Sequence, residues 1–186
     1  MDAVTARVRS AWCKFRELAP ILKRKGASLR LKGKLYKACV QSVLTYGTET
    51  WATRVEDMQR LERNENWMVR WMCGVSLKDK KSTEDLRTRL GIEEISKVVR
   101  RGRLRWFGHV ERKSRSDMVS ACRDWVVEGT RGKGRGKKTW KDCVKEDMKR
   151  FHLRSEIAQD RCAWRRVING EPSNPCWHGK MDVKLY

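Results

Sequence analysis

Apolar residues recur at intervals of three and four along almost the whole chain, and between those stretches stand residues that start and stop helices. Val4, Val8, Ala11, Trp12, Phe15 and Leu18 form one stripe, which predicts a helix from about residue 2 to 18 ahead of Pro20. Ser28 is placed to cap a second helix, whose Leu31, Leu35, Cys39 and Val43 are flanked by Tyr36, Val40 and Leu44 and which ends near Gly47. Thr53 with Glu56 reads as a capping box for a third helix, running through Met58, Leu61, Met68, Trp71 and Met72 to Gly74. Ser82 with Asp85 opens a short fourth that Gly91 closes, and a fifth extends from about Ile92 to Arg112. A sixth is expected around Asp117 to Val127, although Trp125-Val126-Val127 reads equally as a strand. Thr139 with Asp142 begins another from Trp140 to Phe151, and Ser155 caps a last one through Ile157, Arg161, Trp164 and Ile168. Alternation with period two is rare, so the chain reads as all-α. The expected organisation is a helical bundle over residues 1–112, a basic helical module over 113–168, and a tail without structure over 169–186.

Charge narrows the function. Lysines and arginines number 44 against 23 acids, a net charge of +21, and such a field draws polyanions. It is unevenly spread: the nets are +8 for residues 1–52, 0 for 53–96, +11 for 97–141 and +2 for 142–186. Charge kept only for solubility has no reason to cluster, whereas a binding surface does.

The fifth predicted helix carries the sharpest pattern. Ile95, Val98, Val99, Gly102, Trp106 and Val110 share one face, and Lys97, Arg101, Arg105 and Arg112 share a neighbouring one. No acid follows a residue of that stripe at i+4 to pair it, so it reads as a phosphate-binding face in preference to a merely solvated one. Gly102 costs the helix about 1 kcal/mol relative to alanine, and its place in the apolar face suggests close packing against another helix. Between residues 129 and 138 four glycines alternate with basic residues. Such a segment cannot bury a face, and Arg131, Lys133, Arg135, Lys137 and Lys138 read as a flexible loop approaching a phosphate backbone.

The seven cysteines are widely spaced with no C-x-x-C pair, which reads as reduced thiols in an intracellular compartment. Cys162, Cys176 and His178 lack a fourth ligand at zinc spacing, so no metal site and no cofactor are expected. Without an apolar run near eighteen residues or a leading apolar segment, a soluble, unsecreted nuclear or cytoplasmic protein is expected, with no membrane partner and no small-molecule substrate.

Several motifs occur in a fixed order. They are Tyr46-Gly47-Thr48-Glu49-Thr50-Trp51; Leu61-Glu62-Arg63; Met68-Val69-Arg70-Trp71-Met72-Cys73-Gly74-Val75; and Arg103-Leu104-Arg105-Trp106-Phe107-Gly108-His109-Val110. Gly134-Arg135-Gly136-Lys137-Lys138-Thr139-Trp140 and Ala158-Gln159-Asp160-Arg161 follow. Over roughly residues 3 to 168 the chain resembles the C-terminal part of reverse transcriptases of non-LTR, LINE-type retrotransposons. The resemblance implies a helical, thumb-like region and a basic extension that hold template and primer beyond the polymerase palm. That family's polymerase holds two metal ions with acidic residues that include an Asp-Asp pair, and this chain has no such pair. The endonuclease domain found at the start of many relatives is also missing. The chain departs from the family at Arg135-Gly136-Lys137-Lys138, where relatives often carry a proline within an Arg-Gly-Arg-Pro hook for the minor groove.

The expected function is sequence-tolerant binding of RNA, DNA or their hybrid, with no enzyme on this chain. The rivals are a partner-dependent piece of a polymerase or nuclease, and a translated relic of a mobile element. Trp12, Trp67, Trp71, Trp106 and Trp164 lie on or beside apolar stripes and are read as core rather than as base-stacking groups. His109 is read as a hydrogen-bonded packing residue, and no nucleophile arrangement is discernible.

Overall fold

A computed structural model describes residues 3–114, 116–125 and 138–170. Among these the chain is helical and contains no strand, in agreement with the all-α reading. The loop residues Arg131, Lys133, Arg135 and Lys137, the tail beyond Gly170 and the Val126-Val127 ambiguity lie outside the described residues.

Helix α1 (Ala3–Glu17) buries Val4, Ala11 and Phe15. Pro20 does not end the helical path but sits in the first turn of the short α2 (Ala19–Leu22), where its missing N–H has no helical partner to lose. The Ser28 hydroxyl accepts from Leu31 N and caps α3 (Leu29–Tyr36). A π turn (Lys37–Gln41) then leads into α4 (Ser42–Thr45), and Gly47, at φ 77°, turns the chain into a 3₁₀ turn (Thr48–Thr50). α5 (Val55–Cys73) starts one residue later than Thr53 and Glu56 suggested, because Asp57, not Glu56, takes the capping N–H, donated by Arg54 at 3.2 Å. α6 (Thr83–Leu90) is capped by Ser82 as expected, and Gly74 and Gly91 both stand at positive φ at the ends of their helices. α7 (Ile95–Glu111) is followed by α8 (Met118–Asp124), capped by Asp117. The Thr139–Asp142 capping box opens α9 (Trp140–Arg150). The expected last helix is broken in two. Ser155 begins a 3₁₀ turn (Ser155–Gln159), and Asp160 accepts from Cys162 N and Ala163 N to start α10 (Arg161–Asn169).

Two apolar clusters hold these elements. The first joins α1, α3, α4, α5, α6 and the start of α7 around Phe15, Tyr36, Leu44, Leu61, Met68 and Ile95. The second gathers Leu104 with Leu153, Ala158, Trp164 and Ile168, with Phe107 against them. α7 is therefore covered on one side along its first half and on another along its second. That double covering corrects its predicted face. Arg103, Leu104 and Gly108 are buried, Val98 and Trp106 only in part, and nothing lies near the position a Gly102 side chain would take. The close approach expected at Gly102 occurs instead at Gly33 and Gly108. A Cβ on Gly33 would collide with the Leu90 carbonyl, and one on Gly108 with the Trp164 indole. The Trp164 indole is fully enclosed and donates to Leu104 O at 2.9 Å.

Among the described residues four buried charges, Lys32, Glu65, Arg103 and Asp147, fasten the layers. Lys32, 5% exposed, donates to Met72 O at 3.0 Å and so holds the C-terminal end of α5, where a cation meets the negative end of the helix dipole. Asp147 of α9 faces Arg103, at 3.5 Å, and Arg100, at 3.9 Å, both on α7; Arg103 also donates to Thr53 Oγ1 at 3.0 Å. Glu65 of α5 is fully enclosed. It accepts from Ile95 N at 3.0 Å and Gln41 Nε2 at 3.1 Å, and Arg87 Nε stands 3.4 Å away. One carboxylate thus ties the π turn, α5, α6 and the first amide of α7. Burial raises the Glu65 carboxyl from 4.5 to about 7, against the lowering effect of those partners.

The glycines give a paired expectation for thermal unfolding. Gly102→Ala stabilises by up to about 1 kcal/mol, the helix-propensity gain at an open position, while Gly33→Ala and Gly108→Ala each destabilise by about 1 to 3 kcal/mol or more through overpacking. Loss of stability in the Gly102 variant would contradict this packing. Glu65 sets a pH dependence whose sign is fixed by its raised value. The native state keeps this proton to higher pH than the unfolded chain, so the contribution is intact below 4.5 and is lost as pH rises to about 7. Urea titrations across that range are expected to show a fall on the order of 3 kcal/mol from this group, and Glu65→Gln to flatten it.

Candidate nucleic-acid interface

Where the acids sit decides what the surface offers. Asp57, Asp79, Asp117, Asp142 and Asp160 accept from backbone N–H groups at helix or 3₁₀ starts. Those hydrogen bonds hold the carboxyls of Asp79, Asp117 and Asp142 below the usual range, together with side-chain bonds from Ser76, Lys113 and Thr139. Glu65 and Asp147 are buried with arginines. These seven acids thus have backbone or buried partners, and of the five caps Asp79, Asp142 and Asp160 stay exposed.

The predicted stripe on α7 is divided by its surroundings. Lys97 and Arg105 are exposed and have no acidic partner among the described residues, while Arg101, between them one turn from each, pairs with Glu93. Arg112 is partly exposed and donates to Ala158 O at 2.6 Å, tying the end of α7 to the 3₁₀ turn before α10. Desolvation lowers its pKa, and the like charge of Arg161 lowers it further. Arg161, on the first turn of α10, is exposed and stands beside that end of the stripe. Lys138, the described residue of the basic loop, pairs with Glu146 at 2.6 Å.

A second basic row was not singled out from the sequence. Lys141, Lys145 and Lys149 are exposed at successive turns of α9, and their spacing of four was available as a signal. The acids of that helix look elsewhere: Asp142 caps it, Glu146 takes Lys138, and Asp147 points inward. Between α5, α7 and α9 lies a cleft of about 280 Å³, lined by Arg54, Arg100, Arg103 and Arg150 but also by Glu62 and Asp147. With Lys138 and Glu146 the lining holds five cations against three acids, of which Arg103 and Lys138 are paired with Asp147 and Glu146.

The tryptophans divide in a way the apolar stripes did not foretell. Trp164 is core, whereas Trp67 and Trp71 are about half exposed, at 54% and 50%. Trp106 is partly buried and lies 5.4 Å from the ring of His109, an exposed residue that packs against it. Trp140 Nε1 donates to Glu49 O at 2.7 Å, fixing α9 against the turn before α5.

Among the described residues no group of three or more His, Cys, Asp or Glu side chains is placed to hold a metal ion, and the six described cysteines are free thiols. No helix among them is long and apolar enough to cross a membrane.

No protein-family model and no solved structure matches the chain. Over 94% of its length it is 23% identical to a putative uncharacterized transposon-derived protein of Caenorhabditis elegans. The match takes in 66% of that relative, so the chain spans just under two thirds of its length.

Proposed function

We propose that the chain is a nucleic-acid-binding segment of mobile-element origin, equivalent to the region beyond the palm of a non-LTR retrotransposon reverse transcriptase, and that it grips RNA, DNA or their hybrid through phosphates. The observation that carries the reading is electrostatic. Exposed cations stand two turns apart on α7, at Lys97 and Arg105, and one turn apart on α9, where the acids are occupied by a cap, an ion pair and the interior. The ordered reverse-transcriptase-like motifs and the similarity to a transposon-derived protein support the origin. In this reading Lys97, Arg101 and Arg105, the row Lys141, Lys145 and Lys149, and the loop Arg131, Lys133, Arg135, Lys137 and Lys138 hold phosphates. Arg112 acts indirectly by fixing α10 against α7, and Lys138 contributes least of the loop because Glu146 already holds it. Helix faces that present cations without a base-reading element bind with little sequence preference.

Fluorescence anisotropy with labelled duplexes of unrelated sequence, repeated across salt concentrations, tests the proposal. Log affinity falls linearly with log salt by about 0.9 for each phosphate neutralised on duplex DNA, so about six contacts cost on the order of a thousandfold between about 50 and 200 mM. Changing Lys97, Arg101 and Arg105 together to glutamine is expected to reduce the slope by about two to three units while the circular dichroism spectrum stays helical. An unaltered slope in that variant and in the one with all five loop cations changed would exclude these faces. The chain alone is further expected to extend no primer on any template, since the acidic pair that holds two metals is absent from its sequence. Labelled nucleotide incorporated above a heat-killed control would refute that.

A further inference from the structure

The outward face of α5 sets aromatic rings among cations. Arg63, Trp67 and Trp71 follow one another at four-residue steps and so lie on one side of the helix, turned away from the buried Leu61, Glu65, Met68 and Met72. Neither Trp67 nor Trp71 is needed to close the core, since each is about half exposed. Tryptophan at solvent positions of a helix otherwise rich in charge calls for a partner. Trp71 is held in place. Its ring meets the edge of Trp12 at 5.5 Å, Trp12 Nε1 donates to Asn64 Oδ1 at 2.8 Å, and Lys23 Nζ lies 4.2 Å from the centre of the Trp71 ring. Trp67 has no ring partner among the described residues. Lys23 also begins the exposed run Lys23-Arg24-Lys25, so the aromatic face is bordered by positive charge on the α2–α3 connection and by Arg63 on α5 itself. The nearest acid of α1, Glu17, is taken by Lys14 at 2.7 Å, and Glu62 and Glu65 lie on the other half of α5.

We propose that the exposed Trp67 ring is a stacking surface for an unpaired base of a single-stranded nucleic acid, with Trp71, whose ring Lys23 covers, as the wall beside it and with phosphates held by Arg24, Lys25 and Arg63. Aromatic stacking accepts every base because every base has a π face, which suits the sequence tolerance of the phosphate-binding faces. A protein partner for this patch would need acids to answer its border, whereas a single strand supplies both the rings and the negative charge. The proposal rests on the nucleic-acid reading above and adds that one binding face prefers unpaired strands.

The test uses the full chain, a labelled oligothymidylate of about 20 nucleotides, an abasic oligomer of equal length and charge, and a duplex. Trp67→Ala is the clean variant because its ring is exposed and unpartnered; Trp67→Phe keeps a stacking surface, and Trp71→Ala is read only with its circular dichroism intact. The intact chain is expected to bind oligothymidylate more tightly than the abasic oligomer. Trp67→Ala is expected to weaken oligothymidylate binding by at least about fivefold, the lower end of what one stacked base contributes. The phenylalanine variant is expected to restore most of that loss, and duplex and abasic binding are expected to stay as they were. Unchanged oligothymidylate affinity in Trp67→Ala, with duplex binding intact, overturns the stacking surface and leaves the phosphate reading standing. A variant that alters self-association in sedimentation but not oligonucleotide binding makes the patch a contact between copies and likewise overturns it. Failure of the intact chain to bind either duplex or single strand overturns both readings.

Discussion

The enclosed carboxylate of Glu65 is the point through which the first half of the molecule is set. A charge out of water is tolerated only when donors surround it, and here the donors come from three other segments: Gln41 in the π turn, Arg87 on α6 and the first amide of α7. The helical path fixes where α5 lies, and Glu65 then fixes where α7 begins. Gln41 extends the tie by donating also to Glu93 O, just before that start. The first amide of a helix has no partner within its own helix, and a carboxylate supplied from a neighbouring helix satisfies it while meeting the positive end of the dipole.

Everything that distinguishes α7 follows from being anchored at its start and covered from two directions. α5 and the 3₁₀ turn Thr48–Thr50 pack against it, α9 meets it through the Asp147 pairs with Arg100 and Arg103, and α10 presses Trp164 onto Gly108. What remains open is a strip too narrow for all four cations of the predicted stripe. Lys97 and Arg105 stay in solvent, Arg101 leans back to Glu93, and Arg112 serves as a strut to Ala158 O. A cation's position on the wheel decided its direction, but its neighbours decided whether it could reach a ligand.

The surface chemistry is the complement of that interior arrangement. Aspartates at helix starts and acids in buried pairs stabilise the fold, and on α9 Asp142 and Asp147 serve in those two ways. The same division sets Trp164 inside and Trp67 outside, although both belong to helices with a strong apolar pattern. The outer surface therefore presents two kinds of feature, exposed cations on α7 and α9 and exposed rings on α5.

Local signals were sufficient for the all-helical class, for the caps at Ser28, Ser82, Asp117 and Thr139, and for the ends at Gly74 and Gly91, because each depends on hydrogen bonds within a few residues. They also held the row Lys141, Lys145 and Lys149, visible as a period of four, and the misfit of Glu65 among Leu61, Met68 and Met72, an acid on a stripe bound for the core. Periodicity could not tell that α7 is covered on two sides, that Gly33 and Gly108 rather than Gly102 admit a neighbour, or that the last helical stretch breaks at Asp160. The close approaches are to Leu90 and Trp164, more than fifty positions from Gly33 and Gly108, while the break at Asp160 is made by its own cap to Cys162 and Ala163, which competes with the apolar period. By itself the sequence determined that the chain would be helical and strongly positive. Only the tertiary structure decided which charges and rings would be left outside, since burial is settled by what packs against a face and not by the face alone.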